Sequence, residues 1–221
     1  MSFEGFPDEG LVFYEGLEAD NSKTYWTQHK GTYDTAVRAP LQALVDELAP
    51  EFGPAKIFRP YRDVRFSHDK TPYKTHQGAV VHAEGQAAGA WYVQISADGL
   101  MVAGGAWRLE SDQVARYRRA VADPVQGPRL QTEVDRLAQR GWSIDGERLT
   151  RVPSGYTPDA ERLELLKHKS LHAGRRWVPA EWLHDRRALD EVRTSWRDLR
   201  TLNAWLDDNV GATSKEPSRR R

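Results

Sequence analysis

Five cations and two carboxylates fall within the eighteen residues from Ile57 to Lys74: Arg59, Arg62, Arg65, Lys70 and Lys74 against Asp63 and Asp69. That is a local surplus of +3 in a chain whose formal net charge is 0. Guanidinium forks match the oxygens of phosphates and carboxylates in pairs, so Arg59, Arg62, Arg65, Lys70 and Lys74 have the chemistry of an oxyanion cradle, with Tyr61 and Tyr73 as lining. A second reading pairs Asp63 and Asp69 with the neighbouring arginines, making the stretch a surface ion-pair network of small energetic weight. The surplus survives such pairing, and cations withdrawn from water need an anionic partner.

Other chemistries have less support. The chain has no cysteine, which removes disulfides, thiolate metal sites and thiol nucleophiles together. A helix through Leu163 to Gly174 would put Glu164, His168 and His172 on one face, with His76 and His82 added from a strand, but Lys167 and Lys169 would oppose a divalent cation there. The expectation is therefore no metal and no cofactor. There is no Gly-x-Ser-x-Gly elbow, and Ser67 has only His68 beside it, which would point away on a strand. Asp63 or Asp69 could act as a general base, though adjacent cations would depress its pKa and blunt it. Gly104-Gly105 could bring amides toward an anion but reads more simply as a bulge or strand end. The eight tryptophans fall mostly on core stripes, and zero net charge lacks the basic footprint of a nucleic-acid binder.

The elements that must position these residues follow from periodicity. Pro7 and Asp8 open a short helix carrying Leu11, Tyr14 and Leu17, and the Asp20-Asn21-Ser22 cluster caps a longer one with Trp26, Tyr33, Val37, Leu41, Leu44 and Leu48 inward. Pro40 predicts a kink or a break in that helix. Strands are predicted at Tyr61–Phe66, Gln77–Ala83, Ala90–Ser96 and Leu100–Ala103, the last two joined by a type I′ turn at Asp98-Gly99. Ser111 caps a helix with Val114, Tyr117 and Val121; another holds Leu130, Val134 and Leu137 and ends at Gly141. Asp145-Gly146 predicts a second hairpin, running into Glu147–Val152. A last helix from Pro179 carries Leu189, Val192, Trp196, Leu199, Asn203 and Leu206.

Strands bracketed by helices without regular alternation give an α+β fold, an antiparallel sheet of about four to six strands packed against several helices. No repeat or internal linker divides the chain, so one domain over residues 1–210 and a disordered basic tail over 211–221 are expected. At 221 residues a single domain buries about 70% of its unfolded surface, enough for a substantial core. The N-terminus has no basic region followed by an apolar run, and no window approaches a membrane span, so a cytoplasmic location with no membrane partner is expected.

Several stretches fall together into one resemblance: Asn21-Ser-Lys-Thr-Tyr-Trp26-Thr-Gln-His29-Lys30 with Tyr33, Phe58-Arg59-Pro-Tyr-Arg62-Asp63-Val-Arg65-Phe66-Ser67-His-Asp69-Lys70-Thr-Pro72-Tyr73-Lys74, Gly104-Gly105, and Leu165-Leu-Lys-His-Lys169. The chain is similar, up to about Val210, to a bacterial and fungal family of conserved hypothetical proteins, domain of unknown function 2461. Thr27 departs from the aromatic residue usual after the family's Trp. The resemblance implies the architecture and the importance of the central stretch, and leaves the activity open. The expected ligand contacts are Arg59, Arg62, Asp63, Arg65, Ser67, Asp69, Lys70, Tyr73, Lys74 and Lys169, holding a small phosphate- or carboxylate-bearing ligand. An enzyme acting on such a ligand and an interaction protein without a small-molecule site are the alternatives.

Overall fold

A computed structural model of the protein describes residues 2–65, 67–82 and 88–215. Among the described residues six strands form one open antiparallel sheet in the order β1-β2-β3-β4-β6-β5, namely β1 Ala55–Ile57, β2 His76–Val81, β3 Ala90–Ser96, β4 Gly99–Ala106, β5 Ser143–Asp145 and β6 Leu171–Trp177. With the surrounding helices this is the α+β fold expected. The chain clusters into two compact units. One comprises Met1–Ala83, Tyr92–Val102 and Arg176–Ser195, the other Glu84–Trp91, Ala103–Arg175 and Trp196–Arg221. No helix among the described residues is long and apolar enough to cross a membrane.

In the first unit, α1 (Asp8–Ala19) buries Leu11, Tyr14 and Leu17, the predicted stripe. Ser22 caps α2 (Lys23–Thr32) by accepting a hydrogen bond from the Tyr25 amide at 3.1 Å. Pro40 does not break the helix as expected. Helical structure runs on through a π-helical segment, Tyr33–Arg38, into α3 (Ala39–Phe52), with Pro40 in the first turn of α3. The wider π turn absorbs the missing amide. The carbonyl of Ala36, four residues before Pro40, instead faces Gly10 of α1 so closely that a Cβ there would collide with it.

The sheet departs from expectation in three places. Tyr61–Phe66 is not a strand: Tyr61 makes a single bridge to Tyr73, and Phe66 lies outside the described residues. Pro60 and Pro72 have no amides to give a ladder, and the Asp69 carboxylate accepts from the Thr71 amide at 2.9 Å, a local bond that competes with one. β2 starts at His76, and Ala83, its expected end, lies outside the described residues. Between β3 and β4 only Gly99 has positive φ, 101°, so the turn is not type I′ but one followed by a left-handed glycine.

In the second unit, Glu110 and Gln113 form a capping box for α4 (Ser111–Ala122), one residue earlier than Ser111. α5 (Gln126–Gln139) ends at Gly141, φ 81°, with the Trp142 amide on the Leu137 carbonyl at 3.0 Å. The predicted hairpin at Asp145-Gly146 does not form. The chain runs on through Gly146, β5 pairs with β6, and Arg148 bridges His168. The helix expected through Gly174 is only α6, Leu163–Leu166. Beyond it Leu171 and Ala173 are buried while His172 and Gly174 are less so, the two-residue period of a strand. The last predicted helix is two, α7 (Arg187–Asp198) and α8 (Arg200–Asn209), preceded by a 3₁₀ turn at Glu181–His184, and its whole apolar stripe is buried.

Of the C-terminal tail, Thr213 and Ser214 are held: the Thr213 hydroxyl and the Ser214 amide each donate to the Asp112 carboxylate at 2.8 Å. Residues 216–221 lie outside the described residues.

Candidate functional site

The central stretch is a loop tied at its base. The Arg62 amide donates to the Pro72 carbonyl at 2.9 Å and the Lys74 amide to the Pro60 carbonyl at 2.8 Å, on either side of the Tyr61–Tyr73 bridge. Asn21, just ahead of the Ser22 cap, holds the second leg by both ends of its amide: Nδ2 donates to the Tyr73 carbonyl at 3.0 Å, and Oδ1 accepts from the Tyr73 amide at 3.1 Å. The Tyr73 ring stacks on Trp26 at 4.3 Å and 8°. Tyr33 packs on the same indole at 4.7 Å. Trp26 thus draws aromatic partners from the loop, from Tyr33 and from Phe13 of α1, while Thr27 bonds back to the Lys23 carbonyl on the exposed side of α2.

Most of the loop's charge is spent within the loop. Arg65 grips Asp63 with both prongs, Nε to Oδ1 at 2.9 Å and Nη2 to Oδ2 at 2.7 Å. Arg62 bonds Asp69 and Thr71, and Lys70 donates to the Val64 carbonyl at 3.0 Å. Hydrogen bonding from Arg65 and Arg62 pulls Asp63 and Asp69 respectively down to about 2. Neither carboxylate is poised as a general base near neutral pH. Ser67 bonds through its amide to the Val64 carbonyl at 3.4 Å. Lys169 belongs to the second unit, where its ammonium pairs with Glu147.

Two of the sequence-proposed cations stand apart. Arg59 and Lys74 lie at the feet of the loop, and among the described residues neither has a carboxylate within ion-pair distance. The Lys74 ammonium sits over the Phe58 ring, 5.2 Å from its centroid. Burial, and then the charge of Arg59, lower the Lys74 pKa. The Phe58 backbone is fixed from both sides: its amide donates to the Gly78 carbonyl at 3.0 Å, and its carbonyl accepts from Gln77 Nε2 at 2.6 Å. Gln77 is itself oriented by the buried Tyr33 hydroxyl, which donates to Oε1 at 2.6 Å. Burial pushes the Tyr33 pKa up to about 12, so the hydroxyl keeps its proton to donate.

The strands extend this patch with residues the sequence did not single out for it. Gly78 and Phe58 are opposite one another, in line with the Ile57–Ala79 pair. A Cβ on Gly78 would run into the Tyr92 hydroxyl and ring, so the glycine lets the Tyr92 ring lie across β2. The Tyr92 hydroxyl donates to Gln94 Oε1 at 2.7 Å, and the Phe58 and Tyr92 rings are 6.4 Å apart. Arg176 reaches the Met101 sulfur at 3.7 Å and Asp98 at 3.8 Å. The pKa of His76 on β2 is lowered first by burial and then by the charges of Lys74 and Arg176. A glycine inside a strand marks a close approach, which is the one signal in the sequence that could have drawn attention to Gly78. Arg176 carries no such signal.

The helical face weighed and set aside as a metal site does not form among the described residues. With α6 ending at Leu166, His168 makes an isolated bridge to Arg148 and His172 lies on β6. Glu164 bonds Arg148 and Lys167 instead. Gly104 and Gly105 lie inside β4; Gly105, at φ 129°, has the Leu171 carbonyl of β6 where a Cβ would be.

A family model, described as conserved hypothetical protein (DUF2461), matches residues 9–205, most of the chain. The chain belongs to that family. The match runs from α1 into α8 and so takes in Asn21, Trp26, the whole charged loop and β2, the parts whose contacts build the patch. No curated protein matches the chain.

Proposed function

We propose that the protein binds a small anionic ligand, bearing phosphate or carboxylate, at the patch formed by Arg59, Lys74, His76 and Arg176. The observation that carries this reading is Lys74: a partly buried ammonium over an aromatic face, beside a second cation, with no carboxylate partner among the described residues. A cation drawn out of water without a counter-charge is costly, and an incoming oxyanion removes that cost. His76 adds a third positive charge when protonated, and Arg176 contributes a guanidinium whose pair with Asp98 is long and exposed. Six others of the sequence-proposed set have a positioning role in this reading, whereas Ser67 and Lys169 have none. Arg62, Asp63, Arg65, Asp69 and Lys70 shape the loop, and Tyr73 anchors it, so that Arg59 and Lys74 emerge side by side.

Calorimetric titration with inorganic phosphate tests it. Lys74→Ala and Arg59→Ala should each weaken binding by about tenfold or more, the scale of one charge-assisted hydrogen bond. Arg119→Ala, at an exposed position of α4 outside the loop, should change it less than about twofold. Unchanged affinity in Lys74→Ala sinks the proposal.

A further inference from the structure

We infer, resting on the anion reading above, that the ligand joins its anionic group to a planar aromatic ring through a linker, as a nucleoside monophosphate joins phosphate and base through its ribose. A simple oxyanion would need only the cations. The patch also holds two aromatic rings, each partly exposed and each fixed by its own device. Phe58 is held through its backbone by Gly78 and Gln77. Tyr92 is laid over Gly78, where any side chain would lift it, and is tied by its hydroxyl to Gln94 at 2.7 Å. A tyrosine needed only to fill a core would not require a glycine beneath it and a side-chain bond to set its tilt. The rings stand 6.4 Å apart at 40°, with the Lys74 ammonium on the Phe58 side.

Stacking of a planar ring on such surfaces is tolerant of ring identity, whereas its phosphate must meet the cations. Gln94 supplies a further element. Its carbonyl is taken by Tyr92, and its amide nitrogen has no partner among the described residues, leaving two donors beside the ring for an acceptor on a heterocycle. The site is thus built for three features at once: charge at Lys74 and Arg59, a planar face at Tyr92 and Phe58, and a ring acceptor at Gln94.

The test is a calorimetric comparison of inorganic phosphate, ribose 5-phosphate and adenosine 5′-monophosphate on the full chain. The expected result is that adenosine monophosphate binds about tenfold or more tightly than ribose 5-phosphate, the scale of one stacked base. Tyr92→Leu should reduce that ratio severalfold, and phosphate binding, carried by Lys74 and Arg59, certifies that the variant is folded at the site. Equal affinity for the two sugar phosphates in the unmutated protein overturns this inference and leaves the anion reading standing. Failure of all three compounds to bind overturns both.

Discussion

Asn21 and Tyr73, fifty-two residues apart, are joined as if they were neighbouring strands, the side-chain amide of one pairing with the main-chain amide and carbonyl of the other at 3.1 and 3.0 Å. This clamp ties the start of α2 to the second leg of the charged loop, one residue before Lys74. Removing it with Asn21→Ala leaves two partly buried backbone groups unpaired and should cost about 1–3 kcal/mol in denaturant unfolding. Asn21→Asp, which keeps the acceptor and loses the donor, should fall between wild type and Ala. Wild-type stability in Asn21→Ala would show that solvent replaces both bonds.

Tyr33→Phe should cost about 1–2 kcal/mol, because it strands the buried Gln77 carbonyl that the hydroxyl now satisfies. Gln77 in turn holds the Phe58 carbonyl, so the same variant should weaken phosphate binding by severalfold although Tyr33 itself does not contact the patch cations. Calorimetric titration beside urea melts separates the two effects.

Gly10→Ala should destabilise by about 1–3 kcal/mol, an overpacking effect, since the added methyl meets the Ala36 carbonyl rather than a flexible side chain. The reverse holds at Gly31, where a Cβ meets nothing within 4 Å. Gly31→Ala should stabilise by up to about 1 kcal/mol through helix propensity. Urea midpoints at constant m-value decide both.

Burial lowers the pKa of His76, His168 and His172 in the folded protein. The unfolded chain therefore binds more protons in the range just below pH 6.5, and stability should rise with pH through that range and be lost as pH falls below it. Sulfate, which stays doubly charged there, should favour protonated His76 and so stabilise the protein more at pH 5.5 than at pH 7.5. In His76→Ala that extra stabilisation should disappear, while the acid loss from His168 and His172 remains. Thermal melts across pH with and without sulfate give both readings. A sulfate effect independent of pH would place His76 outside the anion's reach.

The sequence by itself determined the fold class, most helices and the location of the charge. Amphipathic stripes such as Leu11, Tyr14 and Leu17, the Ser22 cap and the alternation through Ala90–Ser96 are local patterns whose physics needs only neighbours along the chain. It also marked the loop, because a +3 surplus is a matter of counting. Only the tertiary structure decided which of those charges are satisfied. Arg62 and Arg65 find acids within the loop and Arg59 and Lys74 do not, although nothing in their spacing distinguishes them. His168 and His172 suit one helical face by spacing, yet two-residue alternation and pairing with β5 make a strand of Leu171–Trp177, so local propensity yields to partner contacts. Tyr92 over Gly78 and Arg176 beside Met101 depend on strand pairing, which joins residues far apart in the chain. Hydrogen bonding between strands fixes such neighbours, and no window of the sequence contains both partners.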